Sequence, residues 1–142
     1  IVKYSVILKS LPVLVISFLI LWGMGRTFDI LSTSEETALS KGVNVTNFQK
    51  SAFVLASLIT GTVVAFSGPI GFVGLIIPHL LRLIGGPDHR YLIPSALFFG
   101  GGFLVFTDTV ARTVMAPIDL PVGLITTLLG GPFFLWLLVR KR

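Results

Sequence analysis

The side chains that could do chemistry in this sequence are few, and most of them lie in apolar segments. Asp108 and Arg112 stand four residues apart in one apolar run, and His79 follows Pro78 in another. A charged residue inside a membrane segment marks a functional site by default. These residue types could serve ion pairing, contact with a charged partner, proton transfer or metal ligation, so each use has to be weighed against plain packing.

Asp108 and Arg112 have the spacing of an intrahelical ion pair. The acid precedes the base by four residues, which is the favourable order on a helix. If this helix starts near Leu92, Arg112 lies twenty residues further on, or ~30 Å, which is the thickness of the hydrocarbon core. Arg112 is then at the outer mouth of the membrane and could also meet an acidic partner. Both interpretations stay open.

The two histidines give weaker indications. His79 has no cysteine and no carboxylate at ligand spacing, which favours a packed, hydrogen-bonded residue over a metal ligand or proton relay. His89 lies in a charged turn and is predicted to be solvated. The sequence has no phosphate-binding loop, no Ser/His/Asp set, no paired carboxylates in one span and no metal motif. We therefore predict no enzyme activity, no metal site and no cofactor bound by this chain.

Composition indicates a membrane protein that crosses the bilayer several times. Of the 142 residues 54% are hydrophobic and only 12% are charged, whereas a soluble domain has about 25% charged residues. The 11 basic residues fall between apolar runs rather than on a hydrophilic face, which argues against a nucleic-acid partner. The sequence begins with Ile1 and has no cleavable-signal pattern, so we expect the C-terminal part of a longer protein in contact with lipid.

Apolar runs predict an all-α, polytopic bundle of about five transmembrane helices. A span needs ~20 apolar residues. The third run has room for only ~22 Å of helix, and we expect it to be tucked among its neighbours, whereas the fifth contains Gly130-Gly131-Pro132, a predicted weak point. The predicted spans are 5–25, 47–66, 70–84, 91–114 and 122–139.

The segment from Ser67 to His79 combines apolar residues with three glycines and two prolines. Glycine lets helix backbones approach closely in a membrane, and proline is tolerated there because neighbours re-satisfy the backbone. The segment is therefore predicted to be a turn that leads into a kinked, tightly packed helix. The residues that carry this prediction are Gly68, Pro69, Gly71, Gly74 and Pro78.

The loop 27–46 is too polar to span a membrane. Its Ser32-Thr33-Ser34-Glu35-Glu36 run has a hydroxyl for a helix N-cap and acids for the first turn, and Gly42 fits the stop of that helix. Asn44 offers a second cap. We predict two short helices outside the membrane, joined at Gly42, with a simple solvated connection as the alternative.

The basic residues predict the orientation. With the C-terminus inside, eight basic residues face the cytoplasm and three face out, as the positive-inside rule requires. The loop 27–46 is then cytoplasmic, and the turns 67–69 and 115–121 face out. The inner set is Arg26, Lys41, Lys50, Arg82, Arg90, Arg140, Lys141 and Arg142, and the outer set is Lys3, Lys9 and Arg112.

Several strings of residues together resemble a known family. The run from Gly68 to His79, Asp88-His89-Arg90, the run from Asp108 to Arg112, the run from Leu120 to Thr126 and Gly130-Gly131-Pro132 are similar in order and spacing to FecCD-type permeases of type II ABC importers for iron–siderophores, haem and cobalamin. The likeness covers residues 26–142. It implies helices six to ten of a ten-helix permease in a bacterial or archaeal cytoplasmic membrane, with a second permease copy, ABC ATPase subunits that use the ATP, and an extracytoplasmic substrate-binding protein.

The same resemblance implies roles for single residues. The loop 27–46 would form two coupling helices on the ATPase, through Ser34, Glu35, Glu36, Ala38 and Gly42. Where the family has Leu-Gly-Glu and Leu-Gly-Val, this sequence has Thr33-Ser34-Glu35 and Lys41-Gly42-Val43. Arg112 matches an outer arginine that pairs with a glutamate of the binding protein.

The function predicted from these observations is that of a permease component that couples ATP hydrolysis in partner subunits to alternating access for a bulky chelate. Two alternatives remain. An ion-coupled secondary transporter would need coupling acids or histidines that face a cavity, together with broken helices. An inactive truncated membrane fragment would need none of these features.

Overall fold

The computed structural model describes residues 3–141, and all regular structure in that range is α-helical. This confirms the predicted all-α class. Arg142, which the charge count assigns to the inner side, lies outside the described residues. The helices are α1 (Tyr4–Gly23), α2 (Gly25–Thr33), α3 (Glu35–Ser40), α4 (Val45–Ser67), α5 (Val73–Gly85), α6 (His89–Val114) and α7 (Val122–Arg140).

Among residues 3–141, four helices are long and apolar enough to cross a membrane, namely α1, α4, α6 and α7. The helix in the place of the third predicted span, α5, has 13 residues and would be ~20 Å long. It begins three residues later than the predicted span because Phe72 has a left-handed backbone, with φ 65°, which a continuing helix cannot contain.

The described residues form two compact units, one of residues 3–67 with 87–93 and the other of residues 68–86 with 94–141. In the first unit α1 packs along α4, α2 packs on α3, and α3 contacts α4. In the second unit α5 packs on α7. Many large apolar side chains of the long helices are exposed, which is the surface expected of helices that meet lipid or further helices.

The polar loop differs from the prediction in where its helices begin. Its two short helices are α2 and α3, and they meet at Ser34 rather than at Gly42. The helix predicted to start near Asn44 is the first turn of α4, because the Asn44 side chain accepts a hydrogen bond from the Asn47 N–H at 3.2 Å and no proline follows before Ser67. The predicted second short helix is therefore wrong, and α2 takes its place on the other side of α3.

The predicted weak point in the last span is also not an interruption. The helix α7 runs unbroken from Val122 to Arg140 with Pro132 inside it. A proline removes one backbone hydrogen bond of a helix, but the turns on both sides of it remain. Of the two glycines, Gly130 makes a close approach to Phe72, the residue before α5, as described below.

Candidate functional site

The start of α3 is fixed by a side-chain cap. The Ser34 Oγ accepts a hydrogen bond from the Thr37 N–H at 3.0 Å and lies 2.6 Å from the Thr37 Oγ1. Glu35 and Glu36 occupy the first turn, where negative charge interacts favourably with the helix dipole. The hydroxyl cap predicted within the run from Ser32 to Glu36 is thus present, and it is Ser34.

The end of α3 is fixed by a glycine. Gly42 has a φ of 77°, its N–H donates to the Leu39 carbonyl at 3.0 Å, and the Val43 N–H donates to the Ala38 carbonyl at 3.0 Å. This pair of bonds is the Schellman arrangement, which glycine favours because it has no Cβ to clash in the left-handed region. The predicted stop at Gly42 is confirmed.

The short helix α3 has one inner and one outer side. Ala38 is completely buried, whereas Leu39 is 61% exposed, and Glu35 and Glu36 are exposed as well. A six-residue helix that is closed at both ends by its own residues and shows two acids and a leucine can offer a compact surface to a partner. The residues predicted for coupling to an ATPase, including Ser34 and Gly42, are therefore brought together in this one element.

A second polar cluster joins α2 to the first turn of α6. The Asp29 Oδ1 accepts a hydrogen bond from the His89 backbone N–H at 2.9 Å and lies 2.7 Å from the His89 Nδ1. An ionised carboxylate has no proton, so Nδ1 is the donor. The His89 side chain is only 20% exposed. The prediction that His89 is solvated is wrong, because a carboxylate 60 residues earlier reaches it.

Charge and hydrogen bonding change the acidity of Asp29. Burial by itself would raise the pKa of this carboxyl, but the hydrogen bonds from the backbone and imidazole of His89, with the charge of His89, outweigh burial and lower the pKa. The carboxylate form is therefore the one that the native structure favours. Asp88 caps the same helix locally, since its Oδ1 accepts from the Arg90 N–H at 2.9 Å.

Aromatic rings surround this cluster. Phe28 stacks on the His89 ring with centroids 5.4 Å apart, and packs edge-on against Phe48 of α4 at 4.9 Å. The Trp22 Nε1–H donates to the Arg90 carbonyl at 3.1 Å. These contacts hold α1, α2 and α4 against the first turn of α6. The sequence prediction missed them, because nothing in a local pattern links residues so far apart.

The segment from Ser67 to His79 forms a turn and then α5, as predicted. Gly68 follows the last residue of α4 with a φ of 76°, and Pro69 comes next. A Cβ on Gly71 would lie 3.2 Å from the Thr127 Oγ1, whereas a Cβ on Gly74 would meet nothing within 4 Å in the described chain. Within α5, which contains Pro78, the close packing therefore does not involve Gly74.

The tightest approach between α5 and α7 is made by residues that the prediction did not single out for packing. Gly130 lies against Phe72, and a Cβ on Gly130 would overlap the Cβ and Cγ of that residue. A Cβ on Gly123 would likewise meet the Pro69 carbonyl oxygen. No sequence pattern indicates this contact. It depends on the left-handed backbone of Phe72 just before α5, which is rare for a residue as bulky as phenylalanine.

His79 lies among apolar and aromatic side chains. Its ring is edge-on to Phe133 with centroids 6.0 Å apart. A cavity of about 380 Å³ that includes these two residues, Arg82 and Leu137 opens beside it. Among residues 3–141, His79 belongs to no group of three metal-ligating side chains. The edge-on contact with Phe133 is packing of the kind that the sequence analysis favours for His79.

Asp108 and Arg112 form the predicted intrahelical ion pair near the end of α6. The Arg112 Nε donates to the Asp108 Oδ2 at 2.9 Å, and the side chains are 65% exposed for Arg112 and 40% exposed for Asp108. The pair leaves most of the guanidinium accessible. Contact between Arg112 and a binding protein stays a prediction, and the geometry is compatible with it.

Comparison with known proteins assigns the chain to a family. Residues 1–140 match the FecCD transport family. The chain is 47% identical over 117 residues to the hemin transport system permease protein HmuU of Yersinia pestis, and 46% identical over 129 residues to the cobalamin import system permease protein BtuC of Halobacterium salinarum. These matches cover 82% and 91% of this chain, but 35% and 34% of the relatives.

Two further comparisons agree. The chain is 41% identical over 139 residues to an uncharacterised ABC transporter permease protein, YvrB, of Bacillus subtilis, with 98% of this chain and 39% of the relative covered. A solved structure described as an inward-facing metal-chelate type ABC transporter superposes with a TM-score of 0.87 at 31% identity, over 99% of this chain and 45% of the other. The chain thus spans less than half the length of these relatives, and it belongs to the FecCD transport family.

Proposed function

We propose that this chain is the C-terminal part of a permease in an ATP-binding-cassette importer for iron–siderophore, haem or cobalamin-type chelates. Family membership and the names of the hemin and cobalamin relatives support this proposal. The permease would work as a dimer in the cytoplasmic membrane of a bacterium or archaeon. ATP would be hydrolysed by partner ATPase subunits, and this chain would contribute the membrane path and the contact that couples the two.

The observation that carries the proposal is the construction of α3. A helix of six residues is too short to be stable through its own hydrogen bonds, yet this one has a side-chain cap, a glycine stop and a buried anchor in Ala38. Its acids and Leu39 remain free for a partner. Such a helix can move as a unit when the partner moves, and an ATP-driven change in the ATPases would then shift the bundle between two states.

On the side of the membrane opposite α3, as the charge pattern assigns it, the proposal uses Arg112. Its guanidinium is largely exposed beside Asp108, at the end of α6 that the charge pattern assigns to the outer side. A binding protein with an acidic residue at its rim would be attracted there, and the substrate would be handed over without a tight site in the membrane.

A secondary carrier draws less support from the same geometry. Its coupling groups should face a cavity at the membrane centre. Asp108, however, is paired with Arg112 near the end of α6. His79 lines the cavity of about 380 Å³ described above, but among residues 3–141 the lining of that cavity includes no acid that could act with it. If this sequence belongs to an inert fragment, a complete permease that contains it should show no ATP-dependent transport. The following experiment also tests this alternative.

The experiment uses the complete permease that contains this chain, with its ATPase and binding protein, in proteoliposomes. Glu35→Arg with Glu36→Arg should abolish substrate-stimulated ATP hydrolysis and transport, because the surface that meets the ATPase changes sign. Asp119→Arg is the matched control, since Asp119 is also exposed but lies in the turn predicted to face out. Normal coupling in the Glu35/Glu36 variant would contradict the docking role of α3, and wild-type uptake driven by an ion gradient without ATP would contradict the importer itself.

A further inference from the structure

The first turn of α6 is capped by two carboxylates of different origin. Asp88 precedes the helix and accepts from the Arg90 N–H at 2.9 Å. Asp29 comes from α2 and accepts from the His89 N–H at 2.9 Å. The first N–H groups of a helix have no partners within it and must find them elsewhere. The start of α6 therefore depends for one of these bonds on the position of a different helix.

Asp29 is held in this place on several sides. The same Oδ1 that accepts from the His89 backbone also binds the imidazole Nδ1 at 2.7 Å. Phe28, the residue before it, stacks on the imidazole and packs against Phe48. A Cβ on Gly25, at the start of α2, would lie 3.1 Å from the Arg90 Cγ, so the backbones of α2 and α6 are close. The contact is a packed junction and not a single exposed ion pair.

The helix that carries Asp29 is joined to α3 by a single residue. The helix α2 ends at Thr33, Ser34 follows, and α3 begins at Glu35. The two short helices also pack on each other. A partner that moves α3 will therefore move α2, and Asp29 then carries the first turn of α6 with it.

We propose that Asp29 and His89 are positioning residues that transmit the movement of α3 to α6. The inference rests on the proposed function, because the movement is supplied by the ATPases. It adds a specific path to that function, from the surface of α3 through α2 into a transmembrane helix of 26 residues. A movement of α2 can reach α6 because the Asp29 carboxylate caps the start of α6 and also binds the His89 imidazole, which Phe28 holds by stacking.

Asp29 could act only as a cap that stabilises α6, or also as a link between α2 and α6. A variant of Asp88, which caps the same helix without linking it to α2, distinguishes these two roles. Both carboxylates accept one N–H of the same helix turn at the same distance, but only one of the two bonds joins α2 to α6. Replacing either one weakens the helix start. Replacing Asp29 also removes the two hydrogen bonds by which α2 holds the backbone and the imidazole of His89.

The experiment measures ATP hydrolysed per substrate transported by the complete permease with its ATPase and binding protein in proteoliposomes. Asp29→Ala should raise this ratio by about fivefold or more, the lower end of typical coupling between sites, while ATP hydrolysis in the absence of substrate should stay close to that of the wild type. Asp88→Ala should leave the ratio near that of the wild type. Asp29→Asn keeps an oxygen that can accept from His89 but loses the charge, and its ratio should fall between those of the wild type and Asp29→Ala.

Equal ratios for Asp29→Ala and Asp88→Ala would overturn the inference and leave Asp29 as a cap. If Asp29→Ala does not assemble, Asp29→Asn decides: a ratio above that of the wild type supports the link, since the charge-assisted bond to His89 is weakened, and an unchanged ratio overturns it. A wild-type complex that transports nothing when ATP is present contradicts the proposed function instead, so the two failures are distinguishable.

Discussion

The close approach of α5 and α7 gives the sharpest test of the fold. Gly130 is buried and lies against Phe72. The change Gly130→Ala would place a methyl group on the Cβ and Cγ of Phe72 and 3.0 Å from its Cδ1. The clash involves the Cβ of Phe72, which no rotation about χ1 can remove, so the backbone of one of the two segments has to move.

The size of the effect follows from two opposing terms. Forcing an extra methyl group into a packed site costs about 1–3 kcal/mol, and the upper end applies because the obstructing atom is next to the backbone. Alanine favours the helix over glycine by about 1 kcal/mol. We therefore expect Gly130→Ala to lower the free energy of unfolding by about 2 kcal/mol. Gly131→Ala, with no atom within 4 Å of the new Cβ, should raise it by about 1 kcal/mol.

The assay is unfolding of the purified full-length permease in mixed micelles with increasing SDS, followed by tryptophan fluorescence. Phe72→Gly supplies the second arm. It removes the Cβ that obstructs residue 130 and suits the φ of 65°, which costs a phenylalanine about 1 kcal/mol or more. In that background, Gly130→Ala should become stabilising by about 1 kcal/mol.

Two results would refute this reasoning. If Gly130→Ala and Gly131→Ala shift the unfolding midpoint equally, the approach of α7 to Phe72 is not the constraint. If Gly130→Ala costs the same with Phe72 and with glycine at residue 72, the cost arises elsewhere in the permease.

Three further predictions follow from the caps and charges. Ser34→Ala should cost α3 about 1 kcal/mol and speed amide exchange within that helix, whereas Ser32→Ala, which removes an exposed bond to the Asp29 carbonyl, should not. Arg112→Glu should weaken the affinity of the permease for the binding protein in titrations, and more at low than at high salt because exposed charges are screened. Arg26→Glu, on the predicted inner side of the membrane, should leave that affinity unchanged. Because the folded pKa of Asp29 is lowered from 3.8, its stabilisation is present above that value and is lost as the pH falls through the folded pKa. The difference in SDS midpoint between wild type and Asp29→Asn should therefore shrink as the pH falls below 3.8.

Where the sequence predicted well, the relevant physics is local. The ends of α3 are set by Ser34 and Gly42, which act on residues within four or five positions. The long helices follow from runs of apolar residues, and their bounds agree with the predicted spans to within three residues. The pairing of Asp108 with Arg112 is likewise a property of one helix turn.

Where the prediction failed, the physics is not local. The bond from Asp29 to His89 joins residues 60 positions apart, and the overlap that keeps Gly130 a glycine depends on Phe72. A periodic pattern contains no information about which of several charged turns a carboxylate will reach. The start of α2 was missed for a related reason, since its polar residues look like loop until Phe28 is seen packed against Phe48 and His89.

The two kinds of helix cap in the first unit have different mechanical consequences. The caps of α3 come from its own flanks, Ser34 and Gly42, so this helix keeps its shape wherever it moves. One cap of α6 comes from Asp29 in α2, so the start of that helix is complete only while α2 stays beside it. A permease driven from outside the membrane needs both properties, because the helix that a partner moves must stay intact and the helix that responds must remain attached to it.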